Sequence, residues 1–378
     1  MTRKNARTRR VLIIVGILAA ITGLVCWRLT RKSPPIGEAY AGEPKVTLWS
    51  STAQVREPVE TITFGEPVQI MEKSGENVRV QVTHGKQVAE GWVAGRDLID
   101  QKLWQAEGDL TKQAGGMESQ GGAHTKAQAN LRTEPGRDAP RFYQLEHDVP
   151  VVVLRRQVLD VPPPPSQAAP QPSAKETEGA KEKGNSANEK GPRTTQEKET
   201  GTVSANSEVL TAPPKKEDWL LVLAKTKDTG SLTEVAGWVL ARFVDMDMPD
   251  PLPSYVSSAG MKPAGWMVLN RVADKAAFKD QYLVFGTKGG NAEGSNCDFN
   301  TFRVFTWDTK RQRYETAFVE SGFCGQLPVH CESATKPGGD ANFHFDVTDE
   351  TGKAQRRHYH LHQTNVRRIG TEPKKSRG

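Results

Sequence analysis

Apolar residues are scarce in this chain. Only 36 % of its 378 residues are hydrophobic and the mean hydropathy is -0.59, so part of the sequence must lie outside any packed core. A charge excess of one sign is also small: 51 basic against 45 acidic residues leave a formal +6, part of it in the two tails. No basic stripe interleaves with aromatics in a recognisable module, so no nucleic-acid partner is read. Cysteine is limited to four residues. At this length two to four small domains are expected, each with its own core.

Long hydrophobic runs are almost missing, and the exception is residues 11–27, VLIIVGILAAITGLVCW. It has no charge and sits at the short end of what spans a bilayer. Arg3, Lys4, Arg7, Arg9 and Arg10 precede it, while Arg28, Arg31 and Lys32 follow. The larger positive charge before the run favours a cytoplasmic N-terminus and an exported remainder. A cleaved signal peptide is the rival reading, but no Ala-x-Ala site precedes Arg28. Cys26 as a lipid acceptor lacks the expected small residue before it. An uncleaved signal anchor is therefore expected, followed by a Pro-rich spacer at Ser33-Pro34-Pro35.

What the chain does have is short strands. Val46 to Trp49 is the first of these. Thr61 to Phe64, Val68 to Met71 and Val78 to Val82 follow, and the period of two in the last puts Val78, Val80 and Val82 on one buried face. Gly91-Trp92-Val93-Ala94-Gly95-Arg96 closes this unit, and Gly237-Trp238-Val239-Leu240-Ala241-Arg242 repeats it. Residues 103–122 read as a linker with at most a helical turn. Residues 161–217 begin with Pro162 to Pro165 and turn rich in Lys, Glu, Gly and Ser; such a segment cannot offset its chain entropy by burial and should stay disordered. It interrupts a hairpin between Val151-Val152-Val153-Leu154 and Trp219-Leu220-Leu221-Val222-Leu223-Ala224, which loop-closure entropy tolerates. Beyond residue 247, Phe302–Trp307 with Arg313–Val319, and Phe343–Val347 with His358–His362, read as two β-hairpins.

The repeated Gly-Trp-Val segments resemble the closing strand and turn of bacterial SH3 (SH3b) domains. Ala129-Asn130-Leu131-Arg132-Thr133-Glu134-Pro135-Gly136 resembles the opening of such domains. The stretch from Trp238 to Phe318 is similar to the C-terminal part of SH3-domain proteins of environmental bacteria. The resulting fold class is all-β: two SH3-like small barrels plus a C-terminal antiparallel β domain, with one N-terminal transmembrane helix. The boundaries read as 1–10 cytoplasmic tail, 11–27 anchor, 28–43 linker, 44–102 first module and 103–122 linker. The second module follows at 123–247 with its insert at 161–217, then the β domain at 248–370 and a tail at 371–378.

The run at 11–27 and its flanking charges place the chain in the bacterial inner (cytoplasmic) membrane with its bulk periplasmic, and the resemblance implies a non-catalytic binding protein there. Its partner would be peptidoglycan or an envelope protein, and two modules on one tether would raise affinity through effective concentration. A structural scaffold of an envelope complex is the alternative, and a His-rich metal-binding or hydrolytic envelope protein a further one. Trp92 and Trp238 are the candidate ligand-stacking residues, against a structural use in the barrel wall. His344, His358, His360 and His362 are the candidate metal ligands, because His-x-His on a strand shares a face; arginines 356, 357, 367 and 368 argue against a cation there. No cofactor is implied otherwise. Cys297, Cys324 and Cys331 fall on the oxidising side, and a local Cys324–Cys331 bridge is preferred over Cys297–Cys324. A Cys324/His330 nucleophile pair lacks the helix-borne cysteine of Cys/His cell-wall peptidases, so no catalytic residue is assigned.

Overall fold

The computed structural model describes residues 34–161, 215–228, 231–289, 294–349 and 351–373. These are mostly β, in three seven-stranded antiparallel sheets with two α-helices among the described residues. The expected anchor, 11–27, lies outside them; among the described residues no helix is long and apolar enough to cross a membrane.

The first sheet is built from β1 (Gly37–Ala41), β2 (Lys45–Trp49), β3 (Pro58–Thr63), β4 (Pro67–Ser74), β5 (Asn77–His84), β6 (Gln87–Ala94) and β7 (Leu98–Ile99). Its spatial order is β3-β2-β6-β5-β4-β1-β7. The second contains β8 (Gly121–Thr125), β9 (Ala129–Arg132), β10 (Arg141–Leu145), β11 (Pro150–Asp160), β12 (Lys216–Asp228), β13 (Ser231–Leu240) and β14 (Val244–Met246). Its order, β10-β9-β13-β12-β11-β8-β14, is the first order with every label raised by seven. The repeat seen in the sequence is therefore a strand-for-strand duplication of a curled half-barrel sheet. Val78, Val80 and Val82 are buried in the first core, as the alternation requires.

Three boundaries in the first two units are corrected. The first unit begins at Gly37, not Pro44: β1 pairs with β4 and β7, and its inward residues are only Ala39 and Ala41, too small to mark a strand by hydropathy. Residues 103–122 are no linker. Helix α1 (Gln101–Gly115) occupies most of them, started by Asp100, whose carboxylate accepts the Leu103 N–H at 2.7 Å. Finally, β11 and β12 pair directly, with Asp160 opposite Lys216. The two halves of the second unit thus form one sheet across the insert, of which residues 162–214 lie outside the described residues and 215–217 do not belong to it.

Glu217 shows why that last boundary misled. It is a charged residue in a charged run, yet it is 2 % exposed, held by the Arg137 guanidinium at 2.9 and 3.0 Å. The hydrogen bond from Arg137 keeps its carboxyl below the ordinary value of 4.5. Its stabilisation is present above that value and lost as pH falls through the lower folded one. Arg137→Met should therefore flatten the acid side of a urea-midpoint profile by about 1 kcal/mol, the guanidinium being half exposed. An unchanged acid slope would count against the clamp.

The third sheet is a meander in chain order: β15 (Met261–Asp274), β16 (Ala277–Lys288), β17 (Phe299–Asp308), β18 (Arg313–Glu332), β19 (Ala341–Thr348), β20 (Ala354–His362) and β21 (Asn365–Pro373). Both expected hairpins are present. Phe285, Phe299, Phe302, Phe343, Phe345 and Tyr359 fill its core, and the short helix α2 (Leu252–Ser258) packs Leu252 and Val256 against Tyr282, Val284 and Phe305. Strand β21 runs to Pro373, past the expected start of a tail at 371; with Val366 its buried apolar residue, it offers little hydropathy signal.

The first sheet packs on the second, and the second on the third. Trp104 of α1 stacks on Tyr40 at 5.1 Å and meets Phe64, which meets Tyr143 of the second sheet at 4.7 Å. Gln120, fully buried, joins the second sheet to the third. Its N–H donates to the Val153 carbonyl of β11, and its carbonyl accepts the Trp266 N–H of β15. Its side chain exchanges hydrogen bonds with Val329 N–H and C=O of β18 at 2.8 and 3.2 Å.

Candidate functional site

The repeated Gly-Trp pairs have a physical reason. A Cβ on Gly91 would sit 2.8 Å from Leu48 Cβ, and one on Gly237 would sit 2.7 Å from Leu131 Cβ. β6 and β13 therefore cross close over β2 and β9, and only glycine allows it. The next residue, Trp92 or Trp238, points to the outer face of its sheet. Both are half-buried, but what covers them differs.

Opposite Trp92 stand Trp49 on β2 and Arg79 on β5. Arg56 lies over the Trp49 ring at 4.4 Å, and Arg79 lies near the Trp92 ring at 6.0 Å, tethered by Glu72 at 2.9 Å and Glu90 at 3.1 Å. In the second sheet Arg132 replaces Trp49, and Leu221, Leu223 and Ala236 take the places of Arg79, Gln81 and Glu90. This apolar face lies beneath α1, where Leu110 and Ala114, with Met117 just after the helix, pack against Leu154, Leu221, Ala236 and Trp238. Thr111 Oγ1 also accepts the Ala236 N–H at 2.8 Å. Trp238 is thus wall material for a helix, while the Trp49–Trp92 face carries polar, cationic surroundings.

The histidines sit on the outer face of β18, β19 and β20. Cross-strand register stacks His330 on His344 at 4.8 Å and His344 on His358 at 5.1 Å. Burial and the flanking His330, Arg356 and His358 lower the His344 pKa, with Asp346 opposing them. His330 Nδ1 lies 2.7 Å from Glu118. The four expected ligands are therefore not one set: His344 and His358 belong to this stack, whereas His360 and His362 turn to Asp340, at 3.3 and 2.7 Å. Asp340 was missed because it precedes β19, and no spacing rule links it to His360.

No family model and no curated protein matches the chain. Among solved structures it is similar to NlpC2 from Trichomonas vaginalis at 8 % identity, over 91 % of this chain and 98 % of that one, with a TM-score of 0.15. A likeness that low carries no argument here.

The disulfide joins Cys297 to Cys324, correcting the preferred Cys324–Cys331 pair. Cys324 and Cys331 both lie on β18, seven residues apart, and an extended strand separates such positions by about 20 Å, far beyond a disulfide's reach. The bond also removes Cys324 as a nucleophile for His330. Cys331 stays a free thiol. Burial pushes it up to about 11, helped by Glu118 and Glu332 and opposed by Ser333. Alkylation of Cys331 should therefore keep accelerating with pH up to about 11. A rate plateau near pH 8.5, the ordinary thiol range, would contradict that environment.

Where the second and third sheets meet, a cavity of about 130 Å³ is lined in part by Arg156, Asp218 and Asp298. Arg156 donates to Asp298 at 2.6 Å and to Asp218 at 2.7 Å. Burial raises the Asp298 pKa, although Leu327 N–H and Arg156 pull it down. Every member of this group has a partner across the interface, which makes it a docking joint by its contacts.

Proposed function

We propose that this is a non-catalytic, membrane-anchored binding protein of the bacterial cell envelope. Two SH3b-like barrels form its core, and the first presents the ligand-facing surface. One observation carries this reading: the duplicated sheets differ in what overlies their tryptophans. The Trp238 face is sealed by α1, whereas Trp49 and Trp92 lie beneath Arg56 and Arg79. Indole faces suit the apolar faces of sugar rings, and the exposed Arg56 guanidinium suits a carboxylate, Arg79 being held by Glu72 and Glu90. Those are the two chemistries of peptidoglycan, glycan and peptide. In this reading residues 11–27 hold the chain in the inner membrane, and the second and third sheets fix the orientation of the first. Binding through one face, without avidity between modules, makes the single-site affinity decisive.

The test is retention of full-length, detergent-solubilised protein on purified sacculi. Retention is expected, with a loss of about tenfold in affinity for each of Trp49→Ala and Trp92→Ala. Trp238→Ala should cost stability and leave retention of the folded fraction intact. Equal retention of the Trp49/Trp92 double variant would overturn the assignment of the face. Capture by an envelope-protein fraction, with none on sacculi, would favour the scaffold reading instead.

A further inference from the structure

We infer that Asp340, His360 and His362 form a binding site for one divalent first-row transition-metal ion of the zinc class. Each offers one donor atom, and the three lie within 4.8 Å of one another. The topology explains the convergence. His360 and His362 are two apart on β20 and so share its outer face. The β19–β20 register, with Asn342 opposite His360 and Ala341 opposite Leu361, brings the residue before β19 level with His362.

The distances suit a metal. His360 Nε2 is 3.3 Å and His362 Nδ1 2.7 Å from the two oxygens of Asp340. Ligands bound at about 2.0–2.1 Å in a tetrahedron stand roughly 3.3 Å apart, so donors within 4.8 Å of one another need close by no more than about 1.5 Å, within the rotamer freedom of surface side chains. Two imidazoles and one carboxylate prefer zinc, copper or nickel to calcium or magnesium, which favour all-oxygen cages. The remaining coordination positions face solvent.

An independent observation supports it. His360 Nδ1 lies 2.9 Å from Asn342 Oδ1, and Asn342 Nδ2 donates to Glu332 at 3.3 Å. This relay fixes the amide, which in turn holds the proton on Nδ1 and leaves the Nε2 lone pair facing the Asp340 carboxylate, two electron-pair donors that a cation would satisfy together. Such outer partners orient the histidines of metal sites. His84 and His124, by contrast, each meet a single carboxylate, Glu66 and Asp247.

Three of the four neighbouring arginines are neutralised by carboxylates, so they oppose an ion less than the sequence suggests. Arg356 is tied to Asp346 at 2.9 Å, while Arg357 and Arg368 pair with Glu320 at 2.8 and 3.4 Å. Of the four, Arg367 stands opposite His360, and it is exposed.

The experiment is calorimetric titration of zinc chloride into full-length protein carrying no histidine tag. One saturable site per chain is expected. His360→Ala, His362→Ala and Asp340→Asn should each weaken it by about a hundredfold or more, and Asn342→Ala by about tenfold. His344→Ala should leave it unchanged. Absence of a saturable site, or stoichiometric binding that survives His362→Ala, would overturn the inference. So would a loss confined to His344→Ala. His362 is 62 % exposed at its side chain, so its variant keeps the fold, and circular dichroism verifies this for each protein.

Discussion

Replacing Gln120 by alanine should loosen the third sheet from the second and cost about 3–5 kcal/mol. Its side chain serves both polar groups of Val329, accepting the N–H at 2.8 Å and donating to the carbonyl at 3.2 Å. Gln120 and Val329 are both fully buried. Alanine would leave a buried donor and acceptor without partners, each costing about 1–3 kcal/mol, and a void besides. Gln120→Met fills most of the void and isolates the hydrogen-bond share. Hydrogen exchange at the Val329 amide reads the effect locally, which matters because a three-sheet chain need not unfold in two states. Exchange should rise by about a hundredfold or more in Gln120→Ala, since every 1.4 kcal/mol is a factor of ten. Protection of Val329 equal to the parent protein would refute the staple.

Arg156→Ala is expected to be as damaging, for a different reason. One guanidinium, 10 % exposed, bridges Asp218 of β12 and Asp298 before β17, and donates to the Ser295 carbonyl at 3.0 Å. Without it two carboxylates remain at a largely buried joint, one of them already pushed toward its neutral form by burial. Breaking a buried pair from one side costs about 3–5 kcal/mol, because the orphaned charge stays desolvated. Arg156→Lys supplies charge without the fork and should recover only part of it. Adding Asp298→Asn to Arg156→Ala should recover part as well, by removing the orphan. The urea midpoint of the transition that reports the third sheet measures all three. A loss under about 1 kcal/mol in Arg156→Ala would mean that the joint is solvated in solution.

Much of the site was legible where the signal was local. His358, His360 and His362 alternate on a strand in the sequence and in the fold. The apolar runs at 151–154 and 219–224 are strands in the sequence and in the fold; their lack of alternation, which marks cover on both faces, was a signal left unused. What covered them did not follow, because α1 has a weak apolar stripe, Leu103, Leu110 and Ala114 around a buried Glu107. Asp100 as its cap, with that spacing, was the available signal.

The sequence by itself determined the period-two strands, the duplicated Gly-Trp crossing and the interrupted hairpin. Each depends on residues close along the chain or on sterics that a glycine alone satisfies. Only the tertiary structure decided that one tryptophan face is sealed and the other is not, that Cys324 takes Cys297, and that Asp340 joins His360 and His362. Those depend on which distant segments meet, and register and packing between strands are not written in any one segment.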